Sequence, residues 1–229
     1  MPTVLASADE KGFAVSAAEV VENAIYAAIE RRGTCRLMLS GGITAERVYD
    51  RWRSSATLPL DRLHLFFGDE RCVPPDHPES NYRLVLNTML KDRNPADYEI
   101  ERIEAERSDL ERAARAYEAL LPEVVDVLLL GMGIDGHIAS LFPNDPALMS
   151  SDRTVVPVSG PKPPYNRLTI TPLVVQNARQ TVLLATGKKK GSVLREAIDS
   201  PADFLSLPVR LALDGIWVLD PKAARLLTN

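Results

Sequence analysis

His137 closes the segment Gly131-Met132-Gly133-Ile134-Asp135-Gly136-His137. Histidine takes and gives protons near neutral pH, and closely spaced glycines leave the backbone open to a ligand. Together they fit a general base that draws a proton from water. Asp135, two residues earlier, is placed either to orient the imidazole or to hold a substrate. A glycine-rich turn with a surface histidine is the plainer alternative. The long apolar run just before it favours the functional reading.

Three other clusters carry groups that could hold an anion. In Leu39-Ser40-Gly41-Gly42-Ile43-Thr44, paired glycines bring backbone N–H groups close to a ligand, and a following helix N-terminus adds partial positive charge. Ser40 and Thr44 add hydroxyls. The alternative is a tight turn with Thr44 as helix cap. In Gly68-Asp69-Glu70-Arg71, adjacent Asp69 and Glu70 diverge in an extended chain, so they are no glycosidase pair. Arg71 offers a fork for phosphate or carboxylate oxygens. Equally, Asp69, Arg71 and Asn81 could tie down the loop that follows. In Gly187-Lys188-Lys189-Lys190, lysines at a helix start oppose the helix dipole, a conflict that a bound anion relieves. A solvated charge run is the alternative. Arg167, just before Leu168-Thr169-Ile170-Thr171, is a further anion contact from another strand.

Each cluster sits where an apolar run stops. Strands are expected at 3–7, 63–67, 98–103, 124–130, 154–158, 167–171, 181–186 and 215–219, with another ending at Leu39. Helices are expected from Ala14 to a stop at Gly33, then near 44–53, 80–90 and 108–121, after Gly187, and at the chain's end. Continuous apolar strands between helices predict an α/β fold: a single Rossmann-like domain over 1–229, with a mainly parallel sheet flanked by helices on both faces. Ligands of such sheets bind beyond the carboxyl ends of the strands, so the four clusters should converge on one pocket. Pro161-Lys162-Pro163-Pro164 is expected to be a mobile surface loop.

Composition narrows the chemistry. The 229 residues carry a net charge of −4 and no basic stripe, which argues against a nucleic-acid partner. Cys35 and Cys72 form no CxxC pair, and a reducing, cytoplasmic setting is expected. No signal peptide and no membrane-spanning run is visible. Asp135 and His137 lack a third ligand at a usual metal spacing, so no metal is expected. There is no G-x-S-x-G elbow, P-loop or GxGxxG motif.

At these residues the sequence resembles the 6-phosphogluconolactonase family, within the group that includes glucosamine-6-phosphate deaminases. The resemblance rests on Ser40-Gly41-Gly42, on Gly68 through Pro74 with Ser80-Asn81-Tyr82, on Gly131 through Pro143, and on Thr186-Gly187 with Lys190. Deaminases tend to supply a glutamate after the shared Asp-Gly-His segment and a tyrosine where this chain has Arg71. Here Ser140-Leu141-Phe142-Pro143 follows instead, as in lactonases. Ala45 and Ile138 depart from the usual lactonase pattern.

The resemblance implies hydrolysis of 6-phospho-D-glucono-1,5-lactone in the oxidative pentose phosphate pathway, without a cofactor and with no obligate protein partner. It implies His137 as the base activating water. It shares phosphate binding among Gly41-Gly42, Arg167 and Lys190, with Arg71 facing the substrate and Ser40, Thr44, Asp69 and Asn81 completing the expected binding set. A deaminase or sugar-phosphate isomerase is one alternative. A non-catalytic sugar-phosphate sensor is another.

Overall fold

The computed structural model describes residues 1–227; the last two positions of the expected 1–229 domain lie outside the described residues. The chain runs β1 (Thr3–Ala6), α1 (Phe13–Arg32), β2 (Cys35–Leu39), α2 (Ile43–Ser55), β3 (Leu63–Phe67), β4 (Asp69–Arg71), α3 (Asn81–Asn87), β5 (Glu99–Ile100) and α4 (Leu110–Glu118). It continues β6 (Val127–Gly131), β7 (Val155–Ser159), β8 (Asn166–Ile170), α5 (Pro172–Asn177), β9 (Gln180–Ala185), α6 (Lys188–Asp199), β10 (Ile216–Leu219) and α7 (Pro221–Ala224). Among the described residues, seven strands form one sheet in the order β1-β10-β9-β6-β2-β3-β5. Every neighbouring pair is parallel.

The unbroken apolar strands follow from burial on both sides. Leu37, Leu65, Leu129 and Val182 face one core with α1, α2 and α4, through residues such as Val21, Trp52 and Tyr117. Their neighbours Met38, Phe66, Leu128 and Leu183 face the other core with α5 and α6, through Val175, Leu194 and Ala197. Successive residues of a strand point to opposite faces, so both parities must be apolar. The α/β, Rossmann-like architecture read from the sequence is the one the chain adopts.

α1 also matches its pattern. Its buried stripe is Phe13, Ala17, Val21 and Ile25, and it ends at Gly33, whose φ of 81° is left-handed. Gly33 N–H donates to Ile29 O at 2.7 Å, closing the last turn.

Three expectations need correction. The segments at 154–158 and 167–171 are strands, but they leave the parallel sheet. β7 and β8 join β4 in a separate antiparallel sheet ordered β4-β8-β7. The chain steps out at Gly68, whose N–H reaches Leu39 O while its carbonyl accepts from Ile170 N–H, both at 2.9 Å. The strand expected over 98–103 shrinks to Glu99–Ile100, which has only the edge of β3 to pair with. The strand expected from 124 begins at Val127, because Asp126 is turned to anchor β2. Its buried carboxylate accepts from Arg36 N–H at 2.9 Å and pairs with Arg32 at 2.9 Å. Helix α5 has no counterpart in the sequence reading.

Candidate active site

Strand order reverses between β2 and β6. From β2 the chain proceeds outward to β3 and β5, and from β6 it proceeds the other way to β9 and β10. Such a switch point opens a crevice at the carboxyl edge. The four clusters follow β2, β3, β6 and β9, four adjacent strands, so their convergence is built into the topology. They line one cleft of about 580 Å³. Ser40, Gly41, Gly42, Thr44, Asp69 and Arg71 lie on it, as do Asn81, His137, Arg167 and Lys190. Asp135 stands behind His137.

Two buried tyrosines hold the strand ends from which these loops depart. Tyr49 of α2 donates its hydroxyl to Ser40 O at 2.6 Å and accepts from Ser40 N–H at 3.1 Å. Tyr117 of α4 does the same for Phe67, at 3.0 and 2.7 Å. Backbone groups that leave the sheet ladder thereby keep partners. Ser40 Oγ accepts from Gly131 N–H at 3.1 Å and bridges the crevice.

His137 Nδ1 lies 2.7 Å from Asp135 Oδ1, which also accepts from His137 N–H at 3.3 Å. Burial pushes the Asp135 carboxyl up, but the hydrogen bond and charge of His137 outweigh it and hold the carboxyl below its usual range. An ionised Asp135 can only accept, so Nδ1 carries a proton, and in the neutral imidazole the lone pair is then on Nε2. Asp135 is thus bonded to both the ring and the backbone of His137. Gly133 makes the pair possible: a Cβ there would collide with both the imidazole and the Asp135 carboxylate.

Two helix starts also open on the cleft. α2 and α6 begin at Gly42 and Gly187, with φ/ψ of 90°/164° and 90°/151°. Only glycine adopts that conformation readily. The first helical bonds run from Glu46 N–H to Gly42 O and from Gly191 N–H to Gly187 O, so the first-turn N–H groups of both helices remain for a ligand. Thr44 and Thr186 link the two helix starts at 3.5 Å. Asp220 fixes the second by accepting from Gly187 N–H at 2.9 Å. Burial pulls the Lys190 ammonium below its usual range, partly offset by Asp220.

The antiparallel sheet adds two arginines. In its register Arg71 faces Arg167 directly, and Asp69 faces Thr169. Directly opposed residues share a face, and like charges there repel. Burial pulls the Arg167 guanidinium down, Asp69 offsets this, and Arg71 adds to it. Glu79, 3.8 Å from Arg71 Nη1, offsets part of this repulsion. Glu70 points the other way, as the sequence reading anticipated. Its buried carboxylate accepts from Arg71, Asn81 and Tyr82 N–H, each at 2.8 Å, and from Ser80 Oγ at 3.0 Å. Burial pushes this carboxyl up against the pull of its donors.

A family model described as glucosamine-6-phosphate isomerases/6-phosphogluconolactonase matches residues 8–217. The chain belongs to this family. It is 36% identical to a 6-phosphogluconolactonase of Synechocystis sp., over 89% of each chain. It is 35% identical to a human 6-phosphogluconolactonase, over 99% of this chain and 93% of that one. In structure it is similar to a 6-phosphogluconolactonase from Trypanosoma brucei, with a TM-score of 0.87 and 28% identity over 100% of this chain and 99% of the other.

Some expected ligands of this family member are already engaged within the fold. Asp69 accepts from Asn81 Nδ2 at 3.0 Å and from Ser140 Oγ at 2.6 Å. Both of its oxygens are therefore tied, and Arg71 Nη1 donates to Glu79 O at 2.6 Å. The loop-anchoring reading of Asp69, Arg71 and Asn81 is thus realised alongside their place on the cleft. Asn81 Oδ1 and Arg71 Nε are buried without partners among the described residues.

Sequence reasoning did not single out Tyr49 or Asp220, and it gave Ser140 and Glu70 no part in holding the site together. Ser140 is fully buried, and its N–H donates to Thr169 Oγ1 at 3.1 Å. Nothing local marks it, because its partners are 29 and 71 residues away. Among the described residues no three His, Cys, Asp or Glu side chains gather as metal ligands. Among them, too, no helix is long and apolar enough to cross a membrane.

Proposed function

We propose that this chain hydrolyses 6-phospho-D-glucono-1,5-lactone to 6-phospho-D-gluconate in the oxidative pentose phosphate pathway, with residues 1–229 acting as one hydrolase domain. The observation that carries the reading is that one cleft is lined by His137, with Asp135 bonded behind it, and by cationic side chains and helix starts that form an anion cradle. The cradle combines the opposed Arg71 and Arg167, Lys190 and two glycine-capped helix starts.

The remote phosphate anchors the substrate, so its binding energy positions the lactone ring. His137 Nε2 takes a proton from water as the water oxygen attacks the lactone carbonyl carbon. The carbonyl electrons move to oxygen, and the oxyanion is met by glycine-loop N–H groups or an arginine. The tetrahedral adduct collapses, the bond from that carbon to the ring oxygen breaks, and protonated His137 returns its proton to the ring oxygen. Water is the only co-reactant, and the product acid ionises to a carboxylate. Asp135 holds the imidazole in the required tautomer and steadies its charged form. The partner is a small phosphosugar lactone. The cytoplasm is the proposed compartment, supported by two free thiols, Cys35 and Cys72.

The test is lactone hydrolysis above the spontaneous background, with the lactone generated in situ. The chain should accelerate it. For unphosphorylated glucono-1,5-lactone, losing two charge-assisted contacts of about 1.5–3 kcal/mol each should lower kcat/KM by about 10²-fold or more. No acceleration, or ammonia release from glucosamine 6-phosphate instead, would reject this reading.

A further inference from the structure

Arg167 is gripped by residues that do not themselves reach an anion. Its guanidinium carbon lies 5.7 Å from the centroid of the Phe142 ring. The same ring lies 4.9 Å from the His137 imidazole at an interplanar angle of 58°. Phe142 is thus a shared wall between the base and the arginine, buried to 7% exposure. Attraction of a guanidinium to an aromatic face favours this arrangement.

Gly160 closes the grip from the other side. A Cβ there would stand 2.9 Å from Arg167 Nε, 3.4 Å from its Cζ and 3.2 Å from Phe142 Cζ. Its φ lies outside the left-handed region, so alanine suits the backbone and only the missing side chain matters. Gly160 N–H donates to Tyr165 O at 2.7 Å, which closes the proline-rich loop. Arg167 Nε donates to Pro164 O of that loop at 3.3 Å. The loop read from sequence as a mobile surface segment is thus rooted on the arginine.

We propose that Gly160 and Phe142 form a slot that sets Arg167 at a fixed separation from His137, both acting as positioning residues. The proposal rests on Arg167 being an anion ligand of the site described above. A contact under 3.0 Å cannot persist, so Gly160→Ala must displace the guanidinium, the ring, or both. Displacing the guanidinium weakens the phosphate anchor while leaving the His137–Asp135 pair in place.

The experiment is a double-mutant cycle on lactone hydrolysis with Gly160→Ala, Phe142→Leu and Arg167→Ala, alone and in pairs. Folding is followed by circular dichroism. Gly160→Ala should raise KM about tenfold or more with kcat within about twofold. Phe142→Leu should raise KM and lower kcat, because it touches both partners. In the Arg167→Ala background, Gly160→Ala should add less than about twofold, because the group it displaces is gone. Full additivity in that background, or an unchanged KM in folded Gly160→Ala, overturns the slot. Should Gly160→Ala not fold, Phe142→Leu with Arg167→Ala decides by the same criterion applied to KM. Arg167→Ala with an unchanged KM overturns the anion-ligand reading, and the slot with it. A raised KM there with additive partners overturns the slot alone.

Discussion

Glu118→Gln should loosen the sheet that carries the two arginines. Glu118, at the end of α4, accepts from Arg153 Nε at 2.9 Å, from Thr154 N–H at 2.8 Å and from Val155 N–H at 3.0 Å. With Glu111, which accepts from Arg153 Nη1 at 3.1 Å, it ties α4 to β7, and β7 in turn supports β8 and Arg167. Its side chain is 18% exposed and that of Arg153 is 16% exposed. A glutamine oxygen can keep the two backbone donors, but its NH2 group then meets the Arg153 donor. Losing one charge-assisted bond costs about 2 kcal/mol. For a chain of this size that is a thermal-midpoint fall of about 4–8 °C at neutral pH. Burial pushes the Glu118 carboxyl up, but Arg153 and the two backbone donors outweigh it and leave it below the usual range. The stabilisation is therefore complete above the unfolded value of about 4.3 and is lost as pH falls through the lower folded value. The gap between wild type and Glu118→Gln should stay constant from neutral pH to about 5 and narrow below about 4. Calorimetric melting across that range is the assay. No gap at neutral pH, or a gap undiminished in acid, refutes the reasoning.

Lys190 should lose its charge at a lower pH than an ordinary lysine, because burial outweighs Asp220. Phosphate binding then weakens as pH rises, and kcat/KM should fall on an alkaline limb that Lys190→Arg moves upward, since arginine keeps its charge; a limb unmoved by that change contradicts the assignment. Tyr49→Phe strips both partners from the buried Ser40 backbone and should cost about 2–4 kcal/mol. The exposed Tyr26 bonds Thr57 O at 2.7 Å, and Tyr26→Phe should stay within about 0.5 kcal/mol. Equal melting shifts for the two tyrosine variants would contradict the strand-end role.

The central sheet was legible because both of its faces are buried, so Leu37-Met38-Leu39 and Leu63 to Phe67 read as strands without reference to any partner. The glycines that follow those runs marked the loops, and topology did the rest. The antiparallel sheet was less legible. β4 spans only Asp69–Arg71, and its pairing joins Arg71 to Arg167 across a long stretch of chain. Its most telling feature, two arginines face to face, exists only in that register. The hydrogen-bond partners of Glu70 and Ser140 were not legible for a related reason: a buried polar side chain is recognised by its partners, and those lie up to 12 and 71 residues away. The Asp135–His137 pair was legible because both members lie in one short loop.

The most direct test compares wild type with His137→Ala in lactone hydrolysis, with melting curves recorded for both. His137 touches the cleft and lies outside both cores, so the variant should fold with little change in midpoint. Its kcat should fall by about 10²–10⁴-fold while phosphate-anchored binding persists. A folded His137→Ala that turns over the lactone at near wild-type rate would contradict the role of His137 as the base.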